Sequence, residues 1–270
     1  MDIEALKHAI SIRDSGNQEG ALEEFRALIE RTEDPIEKAS LIRNESNILT
    51  ALRRFEEAWL SLQRARQIAQ DDESKAHSDH QEGLLRSCEG RYEDALRIYD
   101  RILSEYPKVL EDVQNRYLYE SIQADRGIML AILGRAEQAL PVLEEALTFD
   151  LSDEKKGSIF YNLGFCFQIM KQDQKAKSSF EHVCQLSADP RCILGSRYSL
   201  GVLYGKEGAW GKALLELEWC EKHFIDGVIP RDYVYGCLVK VLRAVGRPAE
   251  AENYRKYINR NAGPGGAGRA

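Results

Sequence analysis

The segment HSDH, residues 77–80, sets two imidazoles three positions apart with Asp79 between them. On a helix His77 and His80 share a face, and two such imidazoles are a common start of a zinc site. Such a site needs a third ligand, and neither Glu82 nor Cys88 stands at an obvious spacing, so a polar helix start explains the segment as well. His8, His182 and His223 are isolated. The string GPGGAG at 263–268 matches the letters of a dinucleotide fingerprint. That fingerprint works only between a strand and a helix, a context this tail lacks. Neither a phosphate-binding P-loop nor a G-x-S-x-G nucleophile turn occurs. Carboxylates are abundant, but none is singled out as an acid–base pair. The expectation is a protein without catalytic residues, metal or cofactor, and not an enzyme.

Composition narrows the partners. The formal net charge of −7 lacks the basic excess that nucleic-acid binding requires, so no nucleic acid is expected. The opening residues MDIEALKHAISIRDSG carry early acidic groups and no long apolar stretch, unlike a signal peptide. No apolar run approaches the roughly 18 residues of a membrane span, so no membrane partner is expected. Six cysteines are scattered without a C-x-x-C pair, as small core residues of an intracellular helical protein would be, and a cytoplasmic location follows as the default.

Whatever positions these residues is written repeatedly. GRYEDALRIYDRIL at 90–103 is a near-copy of GNQEGALEEFRALI at 16–29. The alanine of this phrase returns as Ala21, Ala58, Ala95, Ala139, Ala176, Ala213 and Ala251, at spacings of 37, 37, 44, 37, 37 and 38. Five residues earlier stand Gly16, Arg53, Gly90, Gly134, Lys171, Gly208 and Gly246, where a helix must stop and the chain must turn. Four residues after the alanines stand mostly large apolar side chains, including Phe25, Tyr99 and Phe180. Twelve residues before them stand mostly small ones, including Ser46, Gly83, Gly164 and Gly201. Each copy therefore reads as helix, turn, helix, with small residues letting the two backbones approach.

The segments NLGFCF…DQKAKSSF around 162–180 and SLGVLYGKEGAWGKALLELEWC at 199–220 resemble the tetratricopeptide repeat family. The resemblance implies an all-α, right-handed superhelical solenoid of about fourteen antiparallel helices, spanning residues 1–261. Its units fall at about 2–38, 39–75, 76–112, 113–156, 157–193, 194–231 and 232–261. The polar final helix at 249–260 reads as a solvating cap, and the Gly-rich tail 262–270 as flexible. The family period is about 34 residues, shorter than the spacing here. The 44-residue spacing holds seven residues more than its neighbours, about two helical turns, and residues 109–133 are expected to form one long helix, with a structured loop as the alternative.

The resemblance also implies that the first helix of each unit lines a concave groove that takes peptides or protein segments. Carried over by register, the groove positions run from Leu6 and Ile10, through Arg43 and Asn47, His80 and Leu84, Ala124 and Ile128, to Tyr161 and Phe165, Tyr198 and Val202, and Gly236 and Lys240. Arg43 and Asn47 match in kind the first pair of the clamp by which chaperone adaptors of this family grip an acidic C-terminus. Gln81, Ser121 and Asp125 do not continue that clamp, which argues against it. The aromatic stretch of Tyr161, Asn162, Phe165, Gln168, Tyr198 and Val202 is the expected binding surface, since aromatics bury much area at low entropy cost. Packing between units is the competing use of the same rings.

The sequence thus points to a non-catalytic interaction scaffold or adaptor binding a protein or peptide segment in its groove. The alternative is a peptide- or small-ligand-sensing regulator that changes superhelical pitch on binding. Terminal units with incomplete caps leave a homo-oligomer possible.

Overall fold

The structure, a computed structural model, describes residues 2–186 and 188–261; the expected tail at 262–270 lies outside the described residues. Among the described residues there is no β-strand. Contacts divide the chain into two compact units, Met1–Leu133 and Gly134–Ala270. The first unit holds α1 (Ile3–Asp14), α2 (Gln18–Arg31), α3 (Pro35–Ala51), α4 (Phe55–Ile68), α5 (Asp72–Cys88), α6 (Tyr92–Glu105), α7 (Pro107–Glu111) and α8 (Arg116–Ile132). The second holds α9 (Ala136–Ala146), α10 (Asp153–Ile169), α11 (Asp173–Gln185), α12 (Pro190–Lys206), α13 (Trp210–Lys222), α14 (Arg231–Ala244) and α15 (Pro248–Asn261).

Helix starts follow from local chemistry. Asp34, Asp71, Ser152 and Asp189 each accept a backbone N–H of the first turn of α3, α5, α10 and α12, satisfying a donor that has no partner inside the helix. Pro35 and Pro190 occupy first-turn positions where a missing N–H costs nothing. The turns between paired helices lie where the repeated phrase puts them. All seven residues five before the anchor alanines have positive φ, from 58° to 88°, and two of them, Arg53 (60°) and Lys171 (58°), are not glycine. A left-handed conformation there frees the chain to reverse within two residues.

Packing inside each unit is sequential. In the first unit α3 packs on α4, α5 on α6, and α3 directly on α5; in the second α10, α12 and α14 contact one another in order and pair with α11, α13 and α15. The seven anchor alanines are all fully buried. In α10 and α12 the small residues sit under large ones of the paired helix, as Gly164 does under Phe180 and Gly201 under Leu217. In α3 the small residue is Ser46, whose hydroxyl donates to the Ala58 carbonyl at 2.9 Å. Each helical pair leaves an apolar face that only the next pair covers.

The expected long helix over 109–133 is not formed, and the described residues hold fifteen α-helices in place of the expected fourteen. The break inside that stretch falls at Asp112, whose backbone is extended at φ −67° and ψ 128°. Upstream, Pro107 disfavours helical backbone at Tyr106, which sits at φ −119° and ψ 42°, so α6 ends there. Pro107 then serves as the first residue of the short α7. Asp112 is extended and accepts Gln114 N–H at 2.9 Å, starting a 3-10 turn over Val113–Asn115 before α8. The surplus residues therefore form a short helix and a turn between α6 and α8. At the C-terminal end α15 contributes the fully buried Ala251, while Tyr254 and Ile258 pack half-buried on the core around Leu238 and Leu242. No helix of the described residues is long and apolar enough to cross a membrane.

Candidate functional site

The direct packing of α3 on α5 leaves a cleft of about 470 Å³ on the first unit. From α3 it is lined by Ile36, Glu37, Ser40, Arg43, Asn44 and Asn47, which recur at three- and four-residue steps and so share one helical face. From α5 and its capping residue come Asp71, Glu73, Ser74, His77 and Gln81. Arg43 and Asn47, chosen from register alone, are both in this lining. Asn47 is exposed and Arg43 half-buried.

The electrostatics of the cleft are set by burial. Burial pulls the Arg43 guanidinium below its ordinary pKa, against the attraction of Asp71 and Glu73. Its Nη1 is buried without a hydrogen-bond partner, and so is Oε1 of Gln81. An unmade bond at a buried polar atom costs about 1–3 kcal/mol, so both atoms favour whatever supplies a partner. His77 is pushed down to about 4, first by burial and then by the charge of Arg43, against a hydrogen bond with Asn115. It is neutral near pH 7.

The other residues of HSDH are engaged elsewhere. Asp79 pairs with Arg66 at 2.5 Å and with Arg101 at 3.0 Å, and Arg66 also holds Glu82 at 2.7 Å. His80 is buried and meets Asp125 of α8 at 3.1 Å, so it does not line the cleft although register puts it in the groove. No group of three metal-ligating side chains occurs among the described residues.

The aromatic stretch has a different setting. Tyr161 on α10 lies edge-on to Phe165 with ring centroids 4.8 Å apart, and Phe165 lies edge-on to the fully buried Phe180 at 5.6 Å. The Tyr161 ring also fills the space above Gly195 of α12, and burial pushes its hydroxyl up to about 12. Tyr161, Phe165, Gln168, Tyr198 and Val202 each keep part of their surface open, whereas Asn162 is buried and donates to the Ser158 carbonyl at 2.8 Å. The Tyr198 hydroxyl approaches Sγ of Cys237 on α14 at 3.9 Å. These rings therefore join α10, α11 and α12 as well as facing solvent.

Register found Arg43 and Asn47 but missed Ser40, Asn44, His77 and Gln81. The signal was present. Ser40 and His77 both stand 18 residues before an anchor alanine, and Asn44 and Gln81 both stand 14 before. Two polar side chains at the same offsets in adjacent copies, on the face that α3 and α5 share, mark the lining.

Comparison with known proteins identifies the repeats. Residues 80–108 and 157–190 each match a tetratricopeptide repeat family model. The chain carries tetratricopeptide repeats. Similar solved structures include the protein of "Functional Characterization of Pseudomonas Aeruginosa pilF", at a TM-score of 0.68 and 18% identity over 86% of this chain and 95% of that one. A tetratricopeptide repeat protein from Parabacteroides merdae matches at 0.56 and 16% identity, over 95% of this chain and 91% of that one. PilW, described as a widely conserved type IV pilus biogenesis factor, matches at 0.62 and 14% identity, over 83% and 93%. These likenesses show a shared all-α helical-repeat fold. No curated protein matches the chain in sequence. Tetratricopeptide repeats are generally protein-interaction scaffolds, and that is the class this chain falls in.

Proposed function

We propose that this tetratricopeptide repeat protein is a non-catalytic adaptor that holds a peptide or protein segment against its first helices, with the α3–α5 cleft as the principal contact. The observation that carries this reading is the cleft itself: a row of polar side chains, Arg43, Asn44, Asn47, His77 and Gln81, gathered in one lining, in which Nη1 of Arg43 and Oε1 of Gln81 are buried without a partner. A solenoid that needed this face only for solubility would gain nothing from burying unpaired polar atoms there. The second unit has a surface of its own of this kind, formed by the open edges of Tyr161, Phe165, Gln168, Tyr198 and Val202, with the buried Asn162 as its support. Side-chain amides and a guanidinium suit the carbonyls and N–H groups of an extended chain, which needs no reaction and no cofactor.

Binding of labelled peptide pools, compared between the wild type and an Asn44→Ala, Asn47→Ala double variant, tests this reading. Asn47 is exposed and Asn44 half-buried, so the fold should persist, which circular dichroism checks. Binding weakened by about tenfold supports the cleft; unchanged binding places the contact elsewhere.

A further inference from the structure

The cleft also carries information about what enters it, and this inference rests on the groove reading just given. Three carboxylates line it, Glu37, Asp71 and Glu73, against one cation, Arg43. His77 adds no charge near neutral pH. Carboxylates outnumber the cation in the lining even when Asp71 and Glu73 alone are set against Arg43, and a cleft with low-dielectric walls concentrates such a field. The three acids stand toward the N-terminal ends of α3 and α5, beside the exposed Ile36, which is 55% open. Arg43 and Gln81 stand farther along the two helices.

Those two residues add a second, independent requirement. Nη1 of Arg43 lacks an acceptor and Oε1 of Gln81 lacks a donor. A peptide amide offers both, a carbonyl for the guanidinium and an N–H for the carboxamide oxygen. Both atoms are sheltered, so the contact requires the ends of the two side chains to rotate toward the ligand. A free carboxylate satisfies only Arg43, leaves Oε1 of Gln81 unmet, and faces three like charges.

We infer that the α3–α5 cleft selects an extended peptide segment with a lysine or arginine side chain, its cation between Asp71 and Glu73 and its aliphatic stem on Ile36, while a neighbouring backbone amide engages Arg43 and Gln81. The geometry disfavours an acidic C-terminus, because the charge it would bring repels the greater part of the lining.

Fluorescence anisotropy with blocked, labelled hexapeptide pools tests this, using one pool rich in lysine and arginine, one rich in aspartate and glutamate, and one neutral. The variants are Glu73→Lys, at an exposed position of the lining, and Glu23→Lys, at an exposed position of α2 outside it. The expected result is tightest binding of the basic pool, weakened by raised salt, and a loss of about tenfold for Glu73→Lys with little change for Glu23→Lys. Binding of all pools alike, or of the acidic pool best, overturns the charge inference while leaving the groove reading in place. Binding of no pool at all overturns both.

Discussion

The ring of Phe180 on α11 occupies the space that a Cβ on Gly164 of α10 would need. The pair shows how a repeated phrase becomes a fold. The small residue of the first helix lets the second approach, and the large residue of the second fills the gap. Gly164→Val is therefore expected to cost about 1–3 kcal/mol by overpacking, and Phe180→Ala about 3–5 kcal/mol by opening a cavity. Urea unfolding of both variants checks this. Because each helical pair contacts only its neighbours, the loss should fall first on protection of α10–α12 in hydrogen exchange.

Lys171 and Arg53 hold left-handed backbone at the turns where five copies of the phrase have glycine. An L side chain pays about 1–2 kcal/mol in that region, partly offset by the extra freedom glycine has when unfolded. Lys171→Gly is expected to stabilise by about 0.5–1 kcal/mol. Arg53→Gly is expected to gain less, since the guanidinium stacks over the Phe55 ring at 5.2 Å. Gly90→Ala, which places a side chain in the same conformation, is expected to destabilise by about 1 kcal/mol. Thermal and urea midpoints distinguish the three.

His77 gives the first unit a pH dependence whose sign is fixed. Its folded pKa, about 4, lies below the 6.5 of a free imidazole, first because of burial and then because of Arg43. Between those values the unfolded chain binds a proton that the folded one excludes. Stability is therefore lost as pH falls from about 6.5 to about 4, by on the order of 1 kcal/mol after allowance for partial exposure. His77→Gln should flatten the difference between urea unfolding at pH 7 and at pH 5.

Much of the fold was legible in the chain because helix pairing needs the same residue types at the same offsets in every copy. The turn positions, including Arg53 and Lys171, came from those offsets, as did the buried alanines. The insertion did not, because the chain breaks at Asp112, whose carboxylate accepts Gln114 N–H, and such a local side-chain bond leaves no mark in the apolar periodicity. The site was half legible. Register assigns a residue to a face of its own helix but does not say whether the next helix covers that face. Gly195, having no side chain, admits the ring of Tyr161 between α10 and α12, and Asp125 draws His80 toward α8. Arg43 and Asn47 remain in the cleft because the facing side of α5 carries His77 and Gln81 there and no large apolar group.

The central claim, that a protein segment binds on the first helices at the α3–α5 cleft, is tested most directly by quantitative pull-down with three forms of the folded protein. These are the wild type, Asn47→Arg in the cleft, and Leu60→Lys on the exposed surface of α4, where Leu60 is 66% open. The expected result is a partner captured by the wild type, kept by Leu60→Lys and lost from Asn47→Arg. A partner kept by Asn47→Arg and lost from Leu60→Lys would contradict the claim and move the binding surface to the second helices.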